Sequence, residues 1–180
     1  RAPMIILCIV ELGLVFYLSA RINKISAGNA LLLFFIYSII NGLTCSVLLL
    51  VYTSESVYKA FISTAGMFGV MSLWGLYSKK DLTSMGNFLT MGLFGLIIAT
   101  VINLFMRSST AELVISILGI IIFMGLTAYD TAKIKNLSSS IDSQDSQAIS
   151  KVAVIGALAL YLDFINLFIY LLRIFGRNRD

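Results

Sequence analysis

The sequence predicts an all-α, polytopic transmembrane helix bundle, and three observations carry that prediction. Of its 180 residues 59% are apolar and only 12% charged, against roughly 45–50% and 25% in soluble domains. The mean hydropathy of +0.96 points the same way. Between its charges the chain falls into six apolar blocks, each near the roughly 20 residues that a helix needs to cross a bilayer core of about 30 Å. Alternating segments of about ten residues, the mark of a transmembrane β-barrel, are absent. A soluble domain, a disordered tail and a nucleic-acid module are excluded, the last because a net charge of +4 is spread thinly with no basic face.

The blocks follow one another with short connections, so consecutive helices are predicted to be antiparallel neighbours within one transmembrane domain, 1–180. The first span, 2–20, holds Glu11 in its middle. The second, 27–53, begins after Arg21 and Lys24. The third, 60–78, lies between Lys59 and the Lys79–Lys80–Asp81 turn, and the fourth, 82–106, runs from that turn to Arg107. The fifth, 113–130, follows Glu112 and ends on Asp130, just before Lys133 and Lys135. The sixth, 152–172, begins after Lys151, contains Asp163, and stops at Arg173. Residues 136–150 (NLSSSIDSQDSQAIS) read as a polar loop. Arg1 stands where a methionine would open a chain, so a further segment upstream is expected.

Loop charge sets the expected orientation. Arg21, Lys24, Lys79, Lys80, Lys133, Lys135 and Lys151 collect on one side, predicted cytoplasmic, against Arg1, Lys59 and Arg107 on the other. Arg173, Arg177 and Arg179 pull the other way unless the sixth block stops short of a full crossing. Small residues mark expected packing seams, namely Gly92, Gly95 and Ala99 on the fourth block, Ala65 and Gly69 on the third, and Ser38 and Gly42 on the second.

Residue counts then prune the chemistry. There is no histidine, which removes Ser-His and Cys-His catalysis and the His-containing zinc sites. Cys8 and Cys45 lie inside apolar runs and read as small buried hydrophobes. No cofactor is expected, and a metal handled here would be a hard cation held by oxygen.

Three acids fall within or at the end of spans: Glu11, Asp130 and Asp163. An acid at bilayer depth costs at least about 2.5 kcal/mol and usually faces the bundle interior or an aqueous cavity. Helical spacing puts Gly156, Ala159, Asp163, Asn166 and Tyr170 on one stripe, and Ser116, Gly119, Phe123, Thr127 and Asp130 on another. If these stripes meet, Asp130 and Asp163 form a carboxyl pair that cannot cheaply ionise twice and shares a proton. Such a pair serves an intramembrane aspartyl protease or a proton-sensitive gate. The presenilin-like proteases, which also place a Tyr-Asp in one helix and a second Asp in the next, carry GxGD and a downstream Pro-Ala-Leu. Here the second acid stands in Tyr161-Leu162-Asp163 and no proline follows Pro3, so no enzyme is expected.

The runs Gly125 to Lys135 (GLTAYDTAKIK) and Ala157 to Gly176 (ALALYLDFINLFIYLLRIFG), with Thr64 to Phe105 and its Ser-Lys-Lys-Asp-Leu turn, resemble the transmembrane BAX inhibitor motif family, most of all its bacterial inner-membrane branch. The resemblance spans essentially the whole chain. It implies seven helices with the last one central, and a pH-sensitive calcium leak in which Asp130 and Asp163 are the sensor and a transient calcium contact. Glu11, Asn166, Tyr170 and Thr127 are then the candidate pore-lining residues. The family's latch arginine falls at Ile22 here, leaving the adjacent Arg21 as the latch candidate. Expected partners are the lipid bilayer, Ca²⁺ as permeant ion, and protons. A second reading of different class is a non-conducting regulatory protein that binds a membrane protease or quality-control partner.

Overall fold

The computed structural model describes residues 10, 11, 13–15, 17, 18, 20, 21, 24–78, 82–141 and 145–176. Its elements are α1 (Ala27–Ser46), α2 (Leu48–Val51), α3 (Ser54–Tyr77), α4 (Thr83–Met106), α5 (Ser109–Ser140) and α6 (Ser146–Phe175). Among the described residues there is no strand, and the architecture is an all-α polytopic bundle. Five segments are long and apolar enough to cross a membrane: Ala27–Val51, Ser54–Tyr77, Ser84–Met106, Ser109–Ser140 and Ser146–Phe175. The span expected at 2–20 lies largely outside the described residues; those that are described, Glu11 and Leu18 among them, are helical. Cys8, Ile22, Lys79, Lys80, Arg177 and Arg179 also lie outside them.

Helix starts are written in short polar side chains. The Ser26, Thr53, Ser108 and Asp145 side chains each accept a hydrogen bond from a backbone N–H three residues on, capping α1, α3, α5 and α6. Glu55 and Glu112 add negative charge to the first turns of α3 and α5, where the helix dipole favours it. Arg107 ends α4 in the left-handed conformation at φ 52°, and its N–H bonds back to the Asn103 carbonyl. That reversal lets α5 start two residues later.

The helices run further than the apolar blocks predict. The third span begins at Ser54 rather than 60, the fifth extends from Ser109 to Ser140, and the sixth from Ser146 to Phe175. The polar stretch 136–150, predicted as a loop, is therefore helical at both ends, and the connection shrinks to 141–145. Hydropathy marks where lipid ends. Backbone hydrogen bonding continues past that point because serine, asparagine and lysine tolerate a helix in water. At about 1.5 Å per residue, the 30 residues of α6 are long enough to cross completely. Gly176 lies against the Tyr52 ring, a contact so close that a Cβ there would overlap it. This places the end of α6 opposite the lysines, so the charge conflict read in the sequence is not relieved by a short last helix.

α6 packs against α1, α3 and α5, and α5 against α3, α4 and α6. The last helix is thus central, and α5 shares the centre with it. One core, with Leu89, Phe123, Leu126, Leu167 and Leu171, fills the space between α3, α4, α5 and α6. A second joins Leu18 to Ala30 and Tyr37 of α1 and to Val154 and Leu158 of α6. Outward faces carry large apolar side chains such as Phe88 at 74% and Phe105 at 81% exposure, the composition of a surface that meets lipid.

Close crossings use other glycines than those expected. Gly42, Gly69 and Gly95 face open space, and Ala65 is exposed. Of the predicted seams, Gly92 meets a neighbouring helix at Ile122, and Ala99 packs against the core. The crossings are instead at Gly75, which sits against the Ala128 backbone, and at Gly119, which sits under the Tyr170 ring. Spacing alone does not tell which face of an all-round apolar helix turns inward.

Candidate functional site

The two stripes predicted on the fifth and sixth spans meet along the α5–α6 contact. Gly156 packs on Ile134, and Tyr170 packs on Gly119 and Phe123. Between these contacts the Asp130 and Asp163 carboxyl groups lie beside each other, close enough to interact directly. A bond between two carboxyls needs a proton on one of them. Asp163 is only 4% exposed. Among the described residues its Oδ2 receives no N–H or O–H donor, and the one other buried side-chain oxygen left so is Ser72 Oγ of α3.

Asp130 is the outer member. It lines a small cavity of about 60 Å³ with Lys133, Ile134, Leu137, Val152, Ile155, Gly156 and Ala159. Lys133 stands over the Tyr129 ring at 5.8 Å. Lys135 Nζ donates to the Leu76 carbonyl at 2.8 Å and caps the end of α3. Asp130 lines this cavity and is half-buried, whereas Asp163 does not line it and is buried.

The other residues singled out in the sequence take different places. Thr127 is fully buried, with its hydroxyl donating to the Phe123 carbonyl at 2.7 Å. Asn166 Nδ2 donates to the Leu162 carbonyl at 2.8 Å. Tyr170 stacks on Phe123 with ring centroids 5.9 Å apart and 29° between planes, and the Arg173 guanidinium lies 5.3 Å over its ring. These three continue the α5–α6 contact beyond Asp163, away from the lysines.

Glu11 is not brought to the pair. Its Oε1 accepts from Thr44 Oγ1 at 2.6 Å and its Oε2 from Asn41 Nδ2 at 3.3 Å. Asn41 Oδ1 in turn accepts from the Tyr161 hydroxyl at 2.9 Å. The result is a second polar cluster that ties Glu11 through α1 to α6. Asn41 is 8% exposed, and sequence reading missed it. The available signal was an Asn and a Thr at helical spacing in an apolar block, weaker than a charge because neither residue is ionised.

Arg21 is exposed, and among the described residues it forms no ion pair with Asp130 or Asp163. Its carbonyl instead accepts from the N–H groups of Lys24 and Ile25 at 2.8 and 3.1 Å, turning the chain into α1. The latch expected at Arg21 is absent from this conformation, because the residue sits at a helix end with its side chain outward.

Among the described residues no three His, Cys, Asp or Glu side chains come together as a metal site. Two carboxylates fall short of the six to eight oxygens that calcium takes in a resident site. Any cation meeting this pair would keep most of its water.

Comparison with known proteins agrees with the geometry. The family model described as "Inhibitor of apoptosis-promoting Bax1" matches residues 1–180. The Inner membrane protein YbhL of Escherichia coli (strain K12) is 48% identical over 179 residues, covering 99% of this chain and 76% of that protein. An "Uncharacterized protein" of Borreliella burgdorferi is 45% identical over 172 residues, covering 96% of this chain and 74% of its own length. "Uncharacterized protein RP147" of Rickettsia prowazekii is 41% identical over 175 residues, covering 97% and 73%. With a match over the whole chain, five membrane-length apolar helices and a relative named for the inner membrane, the chain belongs to the Bax1 inhibitor family and is an integral inner-membrane protein.

Proposed function

We propose that this protein is a proton-gated leak pathway for a hard cation, calcium foremost, along the α5–α6 contact. The observation that carries the reading is the closeness of the Asp130 and Asp163 carboxyl groups on the facing stripes of α5 and α6, with Asp130 lining a cavity beside Lys133. With its proton, the pair ties α5 to α6 and the pathway is closed. Loss of the proton leaves two carboxylates in a medium that magnifies their repulsion. The contact then loosens and offers oxygen ligands to a divalent ion. Flux is low at acidic pH and rises as the pH is raised. The residues supply no bond-making or bond-breaking chemistry in this reading, and no cofactor takes part; protons and calcium are its ligands.

The test is calcium flux into proteoliposomes across a pH series, for wild type, Asp163→Asn and Asp130→Asn. An asparagine can donate to the remaining carboxylate at every pH, so both variants should hold flux low and flatten the pH response. A pH response unchanged in both variants would remove the pair from the mechanism. Absence of flux from wild type at every pH would instead favour a non-conducting role through a membrane-protein partner.

A further inference from the structure

Beyond Asp163, toward the end of the bundle opposite the lysines, the α5–α6 contact changes character. Leu167 is fully buried and Phe123 5% exposed. The Tyr170 ring lies flat against Phe123 and directly over Gly119, where a Cβ would stand 2.7 Å from its Cδ2 and Cε2. The Arg173 guanidinium covers the ring at 5.3 Å. On the lysine side Asp130 lines a small cavity, whereas on this side the α5–α6 contact holds an aromatic stack seated in a notch that only glycine leaves open.

We infer that the Phe123–Tyr170 stack, seated on Gly119, is a second gate: a hydrophobic closure of the far end of the pathway, separate from the carboxyl pair. A constriction lined by rings excludes water, and with it a hydrated cation, without any charge of its own. The carboxyl pair then governs whether α5 and α6 separate, and the stack governs whether separation is felt at the far mouth. Arg173 holds the ring down by a cation–π contact and sets a positive charge where a cation would leave. This assignment rests on the leak reading above and adds to it the residues that close its other end.

The test uses the full chain in proteoliposomes at acidic pH, where the pair is joined. Tyr170→Ala removes the ring, and Gly119→Ala displaces it from its notch. Each should raise the residual calcium leak roughly two- to tenfold, the range that loss of an aromatic pair supports. Tyr170→Phe, which restores the ring, should bring the leak back down from the Tyr170→Ala level. Gly69→Ala, on an open face, is the control. A second readout does not depend on flux. Thr127→Cys, in a background with Cys8 and Cys45 changed to serine, should resist a membrane-impermeant thiol reagent applied from the side opposite the lysines. The introduced thiol should become reactive when Tyr170→Ala is added.

A wild type that leaks with the expected pH response, together with Tyr170→Ala and Gly119→Ala at the wild-type level and an introduced thiol that stays protected, overturns the gate and leaves the carboxyl pair standing. No flux from any variant overturns the leak reading, and thiol protection unchanged by Tyr170→Ala then overturns the closure as well.

Discussion

Gly75→Ala probes whether the crossing of α3 and α5 fixes the position of the carboxyl pair. A Cβ at this position would overlap the Ala128 carbonyl oxygen and stand 3.0 Å from the carbonyl carbon and Cα of that residue. All three are backbone atoms in mid-helix, so no side chain can swing away, and α3 and α5 must part by several tenths of an ångström. Overpacking of this kind costs typically about 1–3 kcal/mol. Alanine in place of glycine also gains about 0.8–1.0 kcal/mol of helix propensity. Gly69→Ala is therefore the proper reference, since it lies on the same helix with nothing within 4 Å of a new Cβ. The two variants, unfolded in detergent micelles by a denaturant series, should differ by about 1–3 kcal/mol with Gly75→Ala the weaker. Because Ala128 is two residues before Asp130 on a continuous helix, Gly75→Ala should also shift the pH response of flux while Gly69→Ala does not. If the two variants unfold within about 0.5 kcal/mol of each other, the crossing is slack and the reasoning fails.

Two further outcomes are expected. Asn41→Leu withdraws a donor from Glu11 and an acceptor from the Tyr161 hydroxyl, so it should cost about 1–3 kcal/mol, the penalty for buried polar groups left unmade; the same denaturant series measures it, and Tyr161→Phe should cost less. Ser108→Ala removes the cap that accepts from Ala111 N–H at 3.2 Å and should lower stability by about 0.5–2 kcal/mol, read as a shift of the unfolding midpoint, with the pH dependence of flux unchanged.

The acids of the fifth and sixth spans were legible because a charge in an apolar block stands out, and because period 3.6 places its neighbours one and two turns away. That Asp130 and Asp163 would meet required only that two polar stripes on antiparallel neighbours seek each other. Glu11 was equally visible, yet its partners were not. Asn41 and Thr44 are uncharged residues in a block whose overall hydropathy hides them, and only the packing of α1 on α6 shows that they answer the acid. Helix ends were misjudged for a different reason. Hydropathy reports the boundary of lipid, whereas helix boundaries are set by caps such as Thr53 and Asp145. The seams at Gly42, Gly69 and Gly95 failed because small residues permit close approach without demanding it. Arg21 was placed one residue from the latch position by counting, but a helix end turns a side chain through a large angle over that distance.

The length of α5 has a mechanical meaning. Its 32 residues run without interruption from Ser109 to Ser140, about 48 Å at 1.5 Å per residue, well over the roughly 30 Å of a hydrocarbon core. The excess, which carries Lys133, Lys135 and the serines 138–140, is more polar than the rest of the helix. A continuous helix is a stiff rod, so a tilt imposed on that end travels along α5 to Asp130, about three turns below Ser140. In the proposed leak pathway the carboxyl pair would then answer to this lever as well as to its proton.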